Sequence, residues 1–488
     1  MANIYENSVF AFFQYLPSFI VCLNFLPCGL IFGYTIASFV AERDSKNGLI
    51  QYGPLILGAV WATLVALSMF LVKFFKGRII FWHVNVLIAA GVFNLIASGF
   101  YFADGFDNVG AFIAYLAHSL IFLAGLSFLH SIPGKCSRAV LLSLCFCLYL
   151  LGVASAVSLI GTTYAKNLEA HKQKIEKAAA DQQQFIDGIY VRFASVYLSI
   201  SVVMLALLVV LKVLNYMGSV DCETSLDNDF RIANSNGSIF DKRQEIIKRI
   251  QFFYITKNQQ WNVMLLLLFT EAVQYALFIY SVFWFSLNNA VRLTAVANID
   301  LMLWVVFAGS GISTLCLLFI SAKVMFVANQ VCLIGLTLLT MIISNSDHST
   351  VTFWMILFFF GMTFPNLQVI IVEVSHFRLT EVLICVSYLL KLLSTSIVYY
   401  YYVANARNSY FFSTDESTLM AHGFGFFIIS ALLALVVGMK VPRTYRTSLF
   451  DIQYGLLGII FKKHQIEQLN VKWLNDGTIP TISRPANY

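Results

Sequence analysis

The strongest constraint on this chain is a recurring length. Apolar runs of about twenty residues, enough for a helix to cross a hydrocarbon core, follow one another from end to end. Twelve are read from the sequence: Phe10–Val40, Pro54–Val72, Ile79–Tyr101, Val109–Leu129, Ala139–Ile160, Phe193–Val213, Val263–Phe285, Val296–Ile320, Val324–Ile343, Val351–Val372, Val382–Val403 and Gly423–Met439. In lipid each must be helical, because a backbone group left unpaired there is very costly. The first run is over-long, and Pro17 marks a bend between an interfacial start and the span proper. Hydrophobic residues make up 59% of the 488 and charged ones 11%, which excludes a soluble enzyme and a disordered scaffold. The expected architecture is an all-α membrane protein with twelve transmembrane helices.

Basic residues set the expected orientation. With the N-terminus inside, 21 Lys and Arg fall on the cytosolic side and 9 on the other, with Lys391 inside a span. This places both termini in the cytosol and explains the net charge of +6. No cleavable signal peptide is read at the start. Seven of the nine cysteines lie inside apolar runs, and Cys136 and Cys222 lie in segments assigned to the reducing side. No cysteine–histidine spacing suits zinc, no phosphate-binding G-x-x-x-x-G-K-[ST] loop is present, and no basic aromatic-laced face suits nucleic acid. No cofactor is expected.

Two polar segments divide the runs. Residues 161–192 carry Lys166, Glu169, Lys172, Lys174, Glu176 and Lys177, and read as a charged helix standing off the outer face. Residues 215–260 form an inner loop between six runs and six. Within it Ser238 and Asp241 mark a helix start, followed by Ile239, Phe240, Ile246, Ile250 and Phe253 interleaved with Lys242, Arg243, Lys248 and Arg249. That amphipathic helix either lies on inner-leaflet lipid or packs under the bundle. The domain reading is 1–214 and 261–440 for two six-helix bundles, 215–260 for the loop and 441–488 for a cytosolic tail.

Two charges stand in the middle of apolar runs. Glu271 and Lys391 each lie about nine residues into their spans from the cytosolic side, roughly 14 Å deep at 1.5 Å per residue. Ionisable groups at that depth face a cavity or one another. They form an ion pair, bind a charged solute or a proton, or serve structure alone, the lysine snorkelling along its stem. Asn24, Gln274, Tyr275 and Gln368 are further polar candidates, each equally readable as an interhelical hydrogen-bonding group. His83 and His118 read as core or interface histidines, and Asp300 as an interfacial charge.

Short motifs add a resemblance. Val441-Pro442-Arg443-Thr444, with Ser448, Leu449 and Ile452 beyond it, resembles the V-P-E-T-x-x-x-S-L-x-E-I ending of the sugar-porter family of the major facilitator superfamily. Arg138, followed fourteen residues on by Gly152, resembles the opening of that family's fifth span, with Pro133 in the preceding loop. Lys76-Gly77-Arg78 resembles the tail of its D-R-x-G-R signature, with Phe74 and Phe75 in place of the acid and first base. Glu373 with Arg378 resembles its E-x-x-P-x-x-x-R-G element, His376 taking the proline position. The chain is similar to a divergent member of that family, nearest the insect trehalose-transporter-like branch.

The resemblance implies two six-helix bundles that rock about a midplane site, a small polar solute such as a sugar and a proton as partners, a plasma-membrane location among lipids, and a monomer. It implies gating roles for Arg78, Arg138, Glu373 and Arg378, with the lock weakened where Phe74 and Arg443 replace acids. It also exposes a substitution of the sugar-binding groups: Phe146, Phe269, Thr270, Tyr275 and Gln368 stand at their positions. Two functions are therefore weighed. One is a uniporter or proton-coupled carrier using Glu271 and Lys391. The other is a non-transporting membrane sensor or scaffold, expected if Phe146 and Phe269 plug the cavity.

Overall fold

The computed structural model describes residues 15–41, 82–103, 107–131, 137–172, 178–216, 263–277, 292–342, 346–375, 380–405, 416–442 and 444–445. Among them the ordered elements are helices: α1 (Phe25–Ala41), α2 (Trp82–Phe100), α3 (Asp107–Ser131), α4 (Arg138–Lys172), α5 (Ala178–Tyr216), α6 (Val263–Leu277), α7 (Arg292–Cys316), α8 (Ala322–Ile342), α9 (Ser346–Val374), α10 (Thr380–Asn405) and α11 (Glu416–Lys440). They correspond to the first and the third to twelfth apolar runs. Seven helices among the described residues are long and apolar enough to cross a membrane. The second run, Arg78 and its motif, Arg378, Arg443, most of the 215–260 loop and the tail beyond residue 445 lie outside the described residues.

Neighbour relations repeat with a six-span offset. In the first half α2 packs on α3 and on α5; in the second, α8 packs on α9 and on α11. Third-with-fourth and third-with-sixth thus recur as ninth-with-tenth and ninth-with-twelfth, the pattern of a duplicated bundle. The halves meet where α4 packs on α7 and α9, and where α3 packs on α10. Faces turned away from these contacts carry exposed apolar side chains, such as Val203 and Val210 on α5 and Leu315 on α7, as lipid-facing surfaces do. The fold class expected from the sequence is the one observed.

Local chemistry shapes the helices that carry the site. Helical residues 15–23 precede α1 across a turn at Asn24. Pro27 explains the turn: it has no N–H to give Leu23 and its ring crowds that carbonyl. The Asn24 N–H bonds Val21 O at 3.2 Å instead, and the Asn24 side-chain amide donates to Ile20 O at 2.8 Å. Past the turn α1 crosses α4 at Gly29 and Gly152. A Cβ on Gly29 would lie 1.9 Å from Tyr149 O, and one on Gly152 would lie 2.3 Å from Leu26 O. Only glycine permits that backbone contact. The motif glycine that follows Arg138 by fourteen residues is thus a packing residue.

The segment 161–192 differs from the single stand-off helix expected of it. α4 continues through the charged residues to Lys172, and α5 begins at Ala178. At 35 residues, α4 is about 52 Å long, well beyond the ~30 Å of hydrocarbon. The spans themselves project from the bundle.

Candidate functional site

The site forms where α6, α9 and α10 of the second half face α4 of the first. Lys391 Nζ lies 2.8 Å from Glu271 Oε1 and donates to Gln368 Oε1. The Ser387 hydroxyl donates to Glu271 Oε2 at 2.5 Å and lies 3.3 Å from Gln368 Oε1. Glu271 is 5% exposed, Lys391 7% and Gln368 2%, so the charges are answered by one another and by hydrogen bonds, as buried ions must be. Helical spacing produces the cluster: Ser387 and Lys391 are four residues apart, on one face of α10.

Aromatic rings close the site. Lys391 Nζ stands 5.1 Å from the ring centre of Phe146 on α4 and 5.5 Å from that of Phe364 on α9. The Phe146 and Phe364 rings are 5.9 Å apart, edge to face. Tyr275 stacks at a tilt on Phe364 at 5.6 Å. Around Phe146 stand Phe25 and Phe122 from the first half, and Tyr388, three residues before Lys391, meets Phe122 at 4.9 Å and His118 at 5.5 Å. Lysine and the opposing half are therefore in direct ring contact.

The remaining sequence candidates separate. Gln274, 4% exposed, lies three residues from Glu271 on the same face of α6, and both atoms of its amide are without a hydrogen-bond partner among the described residues. Asn24 is buried but turned to its own helix, where it caps the carbonyl freed by the proline turn. Thr270 likewise bonds Leu266 O. Phe269 corrects the plug expected from the sequence: it is 66% exposed on the outer face of α6, while Phe146 is buried. A helix that turns Glu271 inward turns position 269 about 200° away. His118 sits among Phe122, Tyr149 and Tyr388, as a core histidine.

Two gating candidates lie near enough to interact electrostatically. Arg138, at the start of α4, is 2% exposed, and its charge acts on the buried Glu373 at the end of α9; the Thr444 side chain hydrogen-bonds the same carboxylate. The segment after α11 is also held by Lys323, whose Nζ donates to Val441 O at 2.7 Å, and by Tyr445, whose hydroxyl donates to Leu318 O at 3.1 Å. Three of the sequence motifs, from Arg138, Glu373 and Thr444, thus converge. Asp300, read as an interfacial charge, accepts a hydrogen bond from Ser158 of the other half, and Trp304 Nε1 donates to Ser158 Oγ at 2.8 Å. Ser143 and Thr314 join the same α4–α7 seam at 2.8 Å.

Sequence reading missed Ser387, Phe364 and Tyr388. Ser387 and Tyr388 lie four and three residues before Lys391, and Phe364 four before Gln368. Helical spacing from Lys391 and from Gln368 was the available signal. Among the described residues no cluster of three His, Cys, Asp or Glu side chains could hold a metal ion.

No protein-family model matches the sequence, and no curated protein matches it. Solved structures do match in fold. The proton:xylose symporter XylE, bound to 6-bromo-6-deoxy-D-glucose, is 13% identical with a TM-score of 0.61, over 91% of this chain and 99% of that one. The E. coli fucose:proton symporter FucP, as a variant, is 11% identical with a TM-score of 0.56, over 89% and 99%. XylE from E. coli in an inward-open conformation gives 13% and 0.53, over 91% and 99%. At these identities the likeness establishes the fold, which is that of major facilitator transporters.

Proposed function

Starting from a chain with the major facilitator fold and a buried charged site between its halves, we propose that it is a transmembrane carrier of a small polar solute. It works by alternating access: the two bundles rock about the midplane, exposing the site to each side in turn. The observation that carries this reading is the Glu271–Lys391 pair pressed against Phe146 of the opposite half. Rocking that parts the halves uncovers the pair, and a solute with complementary polarity takes up the exposed groups. Glu271, Lys391, Gln368, Gln274 and Tyr275 form the binding site. Arg138 and Glu373 close one end, together with Arg78 and Arg378. Transport is uniport, or is proton-coupled through Glu271.

The motif remnants support a divergent sugar-porter-like chain near the insect trehalose-transporter-like branch. It acts as a lipid-embedded monomer in the plasma membrane, with both termini cytosolic. The test is an uptake screen in proteoliposomes across sugars, organic anions and amines. Wild type should accumulate at least one solute, and Glu271→Gln and Lys391→Met should abolish that uptake. Unchanged uptake in both variants would overturn the assignment of the site.

One observation favours a second reading, a transporter-like sensor or scaffold. Phe25, Phe122, Phe146, Phe364 and Tyr388 fill the space between the halves with rings. An empty uptake screen with a folded protein would select it.

A further inference from the structure

The groups around Lys391 Nζ have a common sign. Glu271 offers a carboxylate at 2.8 Å, Gln368 offers its amide oxygen, and Phe146 and Phe364 offer ring faces at 5.1 and 5.5 Å. Carboxylate, carbonyl and π-face all attract positive charge. An anion placed there meets the negative side of two rings and a carboxylate. A hard metal ion wants several oxygen ligands, and the cage has one carboxylate. Two aromatic faces beside one carboxylate suit an organic ammonium.

We propose that Glu271, Gln368, Phe146 and Phe364 form a binding site for a small organic ammonium, and that Lys391 is its built-in occupant in this conformation. A solute ammonium and the lysine ammonium cannot share one buried carboxylate without leaving a net positive charge in the core. They therefore occupy the cage in turn, the solute entering as Nζ withdraws. Gln274 adds a second, independent mark of a ligand. Its amide is 4% exposed, has no partner among the described residues, and stands one helical turn from Glu271. A buried amide left unmet is costly, and a solute carrying a hydroxyl or carbonyl beside its ammonium group would meet it. As a substrate assignment this rests on the carrier reading; as a binding site it stands without it.

The test excises the occupant. Lys391→Ala removes a propylammonium group from the cage, so n-propylammonium chloride added to the purified full-length variant should raise its melting temperature saturably. Sodium propanoate and 1-propanol should not, and the effect should vanish in Lys391→Ala/Glu271→Gln. If Lys391→Ala does not fold, Lys391→Met keeps the stem, and methylammonium is the probe. No ammonium-specific stabilisation, or equal stabilisation by propanoate, overturns the proposal. A parallel arm measures uptake of tetramethylammonium, which cannot cross lipid as a neutral amine, into wild-type vesicles. Stabilisation without any solute uptake keeps the cage and removes the carrier reading. Uptake of other solutes with no ammonium rescue does the reverse.

Discussion

Neutralising one member of the Glu271–Lys391 pair while keeping its shape should be strongly destabilising, and neutralising both should not. At 2.8 Å two unit charges attract by about 6 kcal/mol at an effective dielectric constant of about 20. In Glu271→Gln, Ser387 still has an oxygen to bond, but the lysine keeps its charge with no counter-ion. The expected loss is about 3–5 kcal/mol, the range for a buried pair broken on one side. Lys391→Met leaves the carboxylate held by Ser387 alone and should lose a similar amount. The double variant replaces two charges by neutral groups of comparable volume, so it should return to within about 1–2 kcal/mol of wild type. The coupling between the sites is then several kcal/mol and favourable. Reversible denaturant unfolding of the four proteins in one detergent measures the cycle. Single variants within about 1 kcal/mol of wild type, or a double variant as unstable as the sum of the singles, would refute the geometry on which the site rests.

Gly152→Leu should prevent assembly of α1 on α4, seen as loss of folded protein on size exclusion, whereas the same change at Gly335, where an added Cβ meets nothing within 4 Å, should be tolerated. Phe146→Ala removes a fully buried ring from the interface of the halves; an unfolding loss of about 3–5 kcal/mol is expected. Arg138→Ala leaves Glu373 with Thr444 alone and should loosen that end of the bundle. In a background retaining only Cys145, which is fully buried one helical stretch inward, maleimide labelling should become at least about tenfold faster, equivalent to about 1.4 kcal/mol. An unchanged rate would remove Arg138 from the closure.

The helicity of eleven of the twelve apolar runs, and the two charges placed inside such runs, were legible in the sequence. Lipid makes them so: it demands helices of fixed length, and it makes a charge in a long apolar run conspicuous. Partnership was not legible. Glu271 and Lys391 are 120 positions apart, and only the packing of α6 against α10 brings them to ion-pair distance. The same packing turned Phe269 outward and Phe146 inward, though both are phenylalanines at positions where the resembling family has polar groups. A single residue's facing depends on its helix's rotation about its own axis, which neighbouring helices set. Asn24 shows the opposite case, a polar residue whose partner is its own helix, because the turn before Pro27 sends the Asn24 N–H to Val21 O and leaves the Ile20 carbonyl to the side-chain amide. Sequence therefore determined which segments are apolar and long enough to form spanning helices, since hydrophobic length is a local property. Tertiary structure alone decided which of them met, since contact across helices is not.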